Sequence, residues 1–367
     1  DWQPLRLNMP ASSIRDLVIH NDDVVVGTHG RSFWILDDIT ALRQISAPVA
    51  SSDAHLFAPQ VAYRVKRNTN TDTPLPPEEP AGQNPPDGAI INYYLKANAA
   101  TPIALEIFDR DGKLVRRYAS DDKAEPVNEK ELNIPTYWIR PPQRLASEAG
   151  MQRFVWDLRY PPPPAERRTY PISAIYRDTP SEPQGPAVLP GSYTVKLTVG
   201  GKTYTQPLVV KIDPRVTTPP EGLAQQFRLS LQCYEGLLRL GAAIEEARLL
   251  RGRLKALGEQ KPKGTVADAA TALDKQTATL AGSAPAFGRG GGEMNLSRLR
   301  AELTALLEAL QSADVTPTTQ AAAAVNQLQP AVADLTTRWE TIKRRDLKTL
   351  NEQLRQAGLP AITINPR

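Results

Sequence analysis

Three histidines, a single cysteine and a few paired acids are the side chains of this 367-residue chain best suited to chemistry. His20, His29 and His55 include no pair at the i, i+4 spacing that puts two imidazoles on one helix face, and there is no Cys-x-x-Cys, so no zinc site is expected. Asp22-Asp23 and Asp121-Asp122 lack the alternating oxygen ligands of a calcium loop and are expected to cap turns. Asp37-Asp38 comes closest to a carboxylate pair for glycosidic cleavage, which needs two acids flanking the bond at roughly 5 to 9.5 Å. Adjacent strand residues point to opposite faces, so these two are not that pair by themselves. Gly288-Arg289-Gly290-Gly291-Gly292 invites a phosphate-loop reading but lacks the Gly-Lys-Ser/Thr ending and a preceding strand, and reads as a linker. No catalytic residue, metal ligand or cofactor is assigned.

The candidate ligand-binding residues are His29 and Arg31, on a short loop between two β-rich runs; the competing reading is a tight turn whose side chains hydrogen-bond to a neighbouring blade of β-strands. Trp34, Trp138 and Trp156 have the flat faces that stack on sugars, but alternation places Trp34 and Trp156 in strand cores. Cys233 sits near the apolar stripe of a helix and is expected to be an inert buried thiol. As the only cysteine it has no intrachain disulfide partner.

The elements that must position these residues fall into three classes. From Ser12 to Arg43, Ile14-Leu17-Ile19, Val24-Val25-Val26 and Phe33-Trp34-Ile35-Leu36 are separated by Asn21-Asp22-Asp23 and His29-Gly30-Arg31, giving three short strands with turn chemistry between them. The pattern is that of one β-propeller blade. A blade buries its faces only against neighbouring blades, so a single one leaves apolar surface uncovered, and the chain is expected to be the tail of a longer protein. Residues 1–47 are read as this blade and 48–88 as a connector and proline-rich linker, with an extended segment at Leu56 to Lys66 that could form the first strand of the next domain.

Residues 89–216 alternate as an immunoglobulin-like β-sandwich, with Asp111-Gly112 and Gly200-Gly201 as hairpin turns. The proline-rich insertion Tyr160 to Pro190, with four consecutive prolines at Pro161 to Pro164, is expected to lie across the sandwich. After Asp213-Pro214-Arg215 the period changes from two to about 3.6. Residues 217–361 carry four apolar stripes that predict an antiparallel helical bundle, with 362–367 as a tail. The expected starts are Thr218-Pro219 with Glu221, Thr265 with Asp268, and Thr316-Pro317, and Pro330 is expected to kink or divide the last helix.

Several of these segments resemble a known family. The pattern W-Q-x-L-x-L-N-x-P at Trp2 to Pro10, S-I-R-D-L at Ser13 to Leu17 and G-T-H-G-R-x-F-W-I-L-D-D at Gly27 to Asp38 resembles the last blade of bacterial sortilin-like, BNR-repeat "glycosyl hydrolase" β-propeller proteins. The resemblance continues through G-x-x-R-F-V-W-D-L-R-Y-P at Gly150 to Pro161 and P-G-x-Y-T-V-K-L-T-V at Pro190 to Val199, and fades after about Thr217. The sandwich, with D-x-x-G-K-x-V-R at Asp109 to Arg116, is similar to the immunoglobulin-type domain of flagellar hook-capping proteins.

The resemblance implies an exported protein, extracellular or periplasmic, whose upstream blades are the partners of this one, with His29 and Arg31 on the propeller face toward a protein or glycan ligand. It leaves open a non-catalytic accessory region, part of a sialidase-like glycoside hydrolase with catalytic residues upstream, and a protein-binding receptor. The Asp-box repeat Ser-x-Asp-x-Gly-x-x-Trp is absent from this segment.

Composition narrows the classes further. Charged residues make up 23% and hydrophobic ones 41%, the balance of a folded globular chain. The net charge of +4 comes from 44 basic and 40 acidic residues spread along the sequence, without the basic patch a nucleic-acid partner would require. No apolar run approaches the ~20 residues of a membrane span.

Overall fold

A computed structural model describes residue 5 and residues 7–66, 85–124, 127–165, 168–171, 177–260, 264–282 and 293–364. The chain is β plus α and divides into two compact units. The first takes residues 1–160, 172–179 and 188–216, and the second 161–171, 180–187 and 217–367. The glycine run at Gly288 to Gly292 and most of the proline-rich linker lie outside the described residues.

In the first unit β1 (Ile14–His20), β2 (Asp23–Thr28) and β3 (Phe33–Leu36) form an antiparallel three-stranded sheet in chain order. Asn21 takes the left-handed conformation that its short amide tolerates, closing the β1–β2 turn where His20 pairs with Asp23. Among the described residues no layer covers the sheet: Leu17 is 56%, Val18 52%, Ile19 54%, Phe33 76% and Ile35 60% exposed. Because Leu17 and Ile19 face one way and Val18 the other, both faces of β1 are bare.

Two short helices, α1 (Thr40–Arg43) and α2 (Ala47–Ser51), lead to two further sheets. One has the order β5-β11-β10-β7-β8 and the other β4-β6-β9. Their strands are β4 (Ala54–Leu56), β5 (Ala62–Arg64), β6 (Ala89–Leu95), β7 (Ala104–Phe108), β8 (Leu114–Ala119), β9 (Gly150–Trp156), β10 (Gly191–Val199) and β11 (Lys202–Ile212). Gly200 and Gly201, both at positive φ, make the two-residue β10–β11 turn whose twist matches the strands it joins. Ile91, Tyr93, Leu105, Ile107, Trp156, Val195 and Leu197 are buried. The sheets take up residues earlier than the expected start at Ala89: β4 pairs with β6, and β5 pairs in parallel with β11. β5 lies within the extended segment Leu56 to Lys66, whereas the three residues of β4 carry too little alternation to declare themselves.

The second unit contains α3 (Pro220–Glu259), α4 (Thr265–Ala281), α5 (Leu296–Gln311), α6 (Thr319–Thr341), a π-helical turn at Ile342–Leu347, and α7 (Lys348–Gln356). Their stripes share one core that includes Leu237, Leu240, Leu250, Leu273, Leu303, Val332 and Trp339. Three helix starts differ from expectation. Thr218 donates its hydroxyl to the Asp314 carbonyl at 2.6 Å while Pro219 occupies the cap of α3; Gly264 precedes α4, making Thr265 its first residue; and Thr318, not Thr316, caps α6. Pro330 does not divide α6, which runs unbroken to Thr341. The proline run is also reassigned: Pro161–Pro171 belongs to the helical unit, where Pro164 packs on Gly241 of α3. Among the described residues no helix is long and apolar enough to cross a membrane.

Candidate functional site

Strand β3 ends at Leu36, so Asp37 and Asp38 have already left the sheet, and the opposite-face argument for them does not apply. Asp38 has φ of +54° and is buried, turning the chain back toward the β1–β2 hairpin. Its backbone N–H donates to Asp23 Oδ1 at 2.9 Å. Its Oδ1 accepts from the Thr40 N–H at 3.0 Å and from the Thr40 hydroxyl, and its Oδ2 accepts from Asn92 Nδ2 at 3.3 Å. Arg153 on β9 completes the cluster, donating to the Asp38 carbonyl at 3.0 Å and to Asn92 Oδ1 at 3.1 Å. Burial, together with Asp23 and Asp38, pushes the Asp37 carboxyl above the usual range, against the pull of Arg153. A carboxyl disposed to hold its proton beside other carboxylates has the chemistry of a proton donor. Both Asp38 oxygens, however, are engaged in holding the loop, which makes this cluster a joint between the three-stranded sheet and β6–β9.

The β2–β3 loop lies at the other end of β2. His29 donates its backbone N–H to the Ser13 carbonyl at 2.9 Å, and its Nδ1 lies 3.3 Å from Arg15 Nη2. The Arg31 N–H donates to Thr28 Oγ1 at 3.2 Å, and the Arg31 carbonyl accepts from Trp34 Nε1 at 2.9 Å. The bonds are internal to the sheet, and the side chains of His29 and Arg31 stand in solvent. The structure therefore brings these two residues to one loop beside Arg15, an element of the cluster that the sequence does not single out.

The tryptophans separate by environment. Trp156 is fully buried, 5.6 Å from the Tyr193 ring in an edge-on arrangement, with its N–H on the Arg159 carbonyl at 3.1 Å. Trp34 is only half-buried because no layer covers its sheet, and so is not a core residue in this chain. Trp138 is half-buried, on a 3₁₀ turn.

A second polar cluster lies where β8 and the end of β9 meet the segment around Arg140. The Arg116 guanidinium lies 4.8 Å from the centre of the Tyr118 ring, and Arg140 pairs with Asp178 at 2.8 Å. Crowding by neighbouring atoms raises the Asp157 carboxyl while Arg116, Arg159 and Arg140 pull it down; its surface still reaches solvent. Arg153 and Asp157 both fall within the R-F-V-W-D-L-R motif, and its polar positions are the signal in the sequence for the β9 side of both clusters.

The chain matches no family model and no curated protein.

Among the described residues no group of three or more His, Cys, Asp or Glu side chains is placed to hold a metal ion. The paired acids instead serve turns. Asp22 pairs with Arg43 at 3.0 Å, and Asp122 Oδ2 accepts from the Ala119 N–H at 2.6 Å. His55 packs edge-on against Phe57 with ring centres 4.8 Å apart, and burial holds its imidazole below the usual value. Cys233 is buried and its thiol is pushed up to about 12 by desolvation, so it carries no thiolate at neutral pH.

Proposed function

We propose that this chain is a non-catalytic accessory and interaction region of an exported β-propeller protein of the BNR/sortilin type. In this reading β1–β3 is a blade, the two larger sheets are an immunoglobulin-like sandwich, and the helices form a supporting bundle. The observation that carries it is the pair of bare faces on the β1–β3 sheet, with Leu17, Ile19 and Phe33 each more than half exposed. Apolar surface left in water forgoes about 25 cal/mol per Å², and a sheet of three short strands with neither face covered is marginal by itself. Neighbouring blades of the same protein, outside these 367 residues, would supply both layers. The Asp38 joint supports the same reading, since it fixes the sheet's angle to β6 and β9 from one end and leaves the His29–Arg31 end open to a protein or glycan ligand.

Limited proteolysis of the 367-residue chain tests the proposal. Cleavage is expected within Ser12 to Leu36, with the remainder from Asp37 onward left intact. An N-terminal sheet as resistant as the rest of the chain would overturn the blade reading.

A further inference from the structure

In the helical unit, α4 and the end of α6 run side by side without closing against each other, leaving a shallow groove. Lys275, Thr279 and Leu280 line it from α4, and Arg338, Ile342 and Arg345 line it from α6 and the π-helical turn. On the second wall these residues recur at intervals of three and four, so the groove is one face of that element and not a chance gap.

Among the described residues three cations stand around it and no carboxylate is part of its lining. Lys275 is on one wall; Arg338 and Arg345 are seven residues apart on the other, which is about 10 Å along a helix. Arg338 reaches Glu293 at 3.4 Å and Asp334 at 3.9 Å, and Arg345 reaches Asp346 at 2.7 Å. All three of these carboxylates lie outside the groove. The Arg338 pairs are exposed and hold a long side chain weakly, whereas Arg345 meets the half-buried Asp346 through two bonds, at 2.7 and 3.4 Å. Among the described residues Lys275 makes no ion pair. Like charges facing one another across a groove repel, and a cleft of one sign concentrates counter-ions. Leu280 and Ile342 are buried and give the groove an apolar floor. Ile342 opens the π-helical turn that also carries Arg345, an irregularity common at binding sites.

We propose that this groove binds an amphiphilic anion, a phosphate or carboxylate group on a short apolar chain. Lys275, Arg338 and Arg345 hold the head group, and Leu280 and Ile342 receive the chain. The shared chemistry is an anionic head on an apolar body, and the choice between the two head groups is made by experiment.

The test titrates the full chain with hexyl phosphate, hexanoate, inorganic phosphate and hexanol by calorimetry. At least one of the two amphiphiles is expected to bind, more tightly than inorganic phosphate and hexanol. Lys275→Met and Arg345→Gln should each weaken that binding about tenfold or more, the worth of a hydrogen bond to a charged group, with Lys275→Arg restoring it. Unchanged far-UV circular dichroism establishes that the variants are folded. Inorganic phosphate binding as tightly as hexyl phosphate would remove the role of the apolar floor, and hexanol binding equally well would remove the role of the cations; either result overturns the proposal. So does binding of neither amphiphile, or binding that both substitutions leave unchanged.

Discussion

Asp37 and Asp38 are neighbours with different hydrogen-bonding surroundings, and this sets opposite expectations for replacing them. Asp38 satisfies the Thr40 N–H, the Thr40 hydroxyl and Asn92, all from a buried position at positive φ. Asp38→Ala leaves those donors without an acceptor and puts a Cβ-bearing residue without a polar side chain into a left-handed conformation. The expected loss is on the order of 3 kcal/mol, seen as a lower urea midpoint at unchanged slope. Asp37, by contrast, is raised by burial and by Asp23, so the folded state holds its proton more tightly than the unfolded one does. Stability from that group is present below the ordinary carboxylate range and is lost as pH rises through the raised value. Asp37→Asn should therefore stabilise the fold at neutral pH and flatten its pH dependence just above the usual carboxylate range. Loss of stability in both variants would mean that the carboxylates act alike. The sequence drew attention to this pair, but the strand argument for it failed because β3 stops at Leu36. Asn92 and Arg153 lie 54 and 115 residues beyond Asp38, a distance that no local pattern bridges.

At the scale of elements, what was legible was periodicity, and what was not was irregularity. The stripe Leu335, Trp339, Ile342 places α6 in the core, and Leu350 and Leu354 do the same for α7. Between them Leu347 follows Ile342 by five residues, and in a regular helix those side chains would point about 140° apart. The π-helical turn Ile342–Leu347 absorbs the extra residue, and both side chains are buried. Pro330, expected to kink or divide the helix, does not divide it. Pro330 is exposed, as is Asn326, whose carbonyl loses its helical donor on the solvent side of α6, and the helix continues. Pro330→Ala restores the missing N–H without removing a core contact. It should stabilise the helical unit by about 1–3 kcal/mol, judged by the thermal or urea midpoint of the helical signal. A destabilised variant would show that Pro330 has a packing role its exposure does not reveal.

For the molecule as a whole, the change of period at Val216–Thr217 marks where the helices begin but not everything that belongs with them. Residues 161–171 and 180–187 leave the β unit and join the helices. Pro164 sits on Gly241, where an added Cβ would come within 2.9 Å of the proline ring. The Ala187 N–H donates to Gln311 Oε1 at 2.9 Å, and Gln311 Nε2 in turn reaches Ser230 Oγ at 2.9 Å. Such contacts are invisible to periodicity because the described residues of the strap form no helix or named strand. They imply that a fragment beginning at Thr217 is missing part of its fold. Thr217–Arg367 alone should keep its helical signal but unfold at a lower urea concentration than the helices of the whole chain, by on the order of 2 kcal/mol. A peptide spanning residues 161–187 should recover part of the difference. Burial raises the Glu182 carboxyl, and burial followed by Glu182 raises Glu308 of α5, so strap and α5 together retain protons when docked that they release when apart. The strap's contribution should accordingly be largest below the ordinary carboxylate range and decline as pH rises through the raised values. Equal midpoints for the fragment and the whole chain at every pH would show that the helices are complete without the strap.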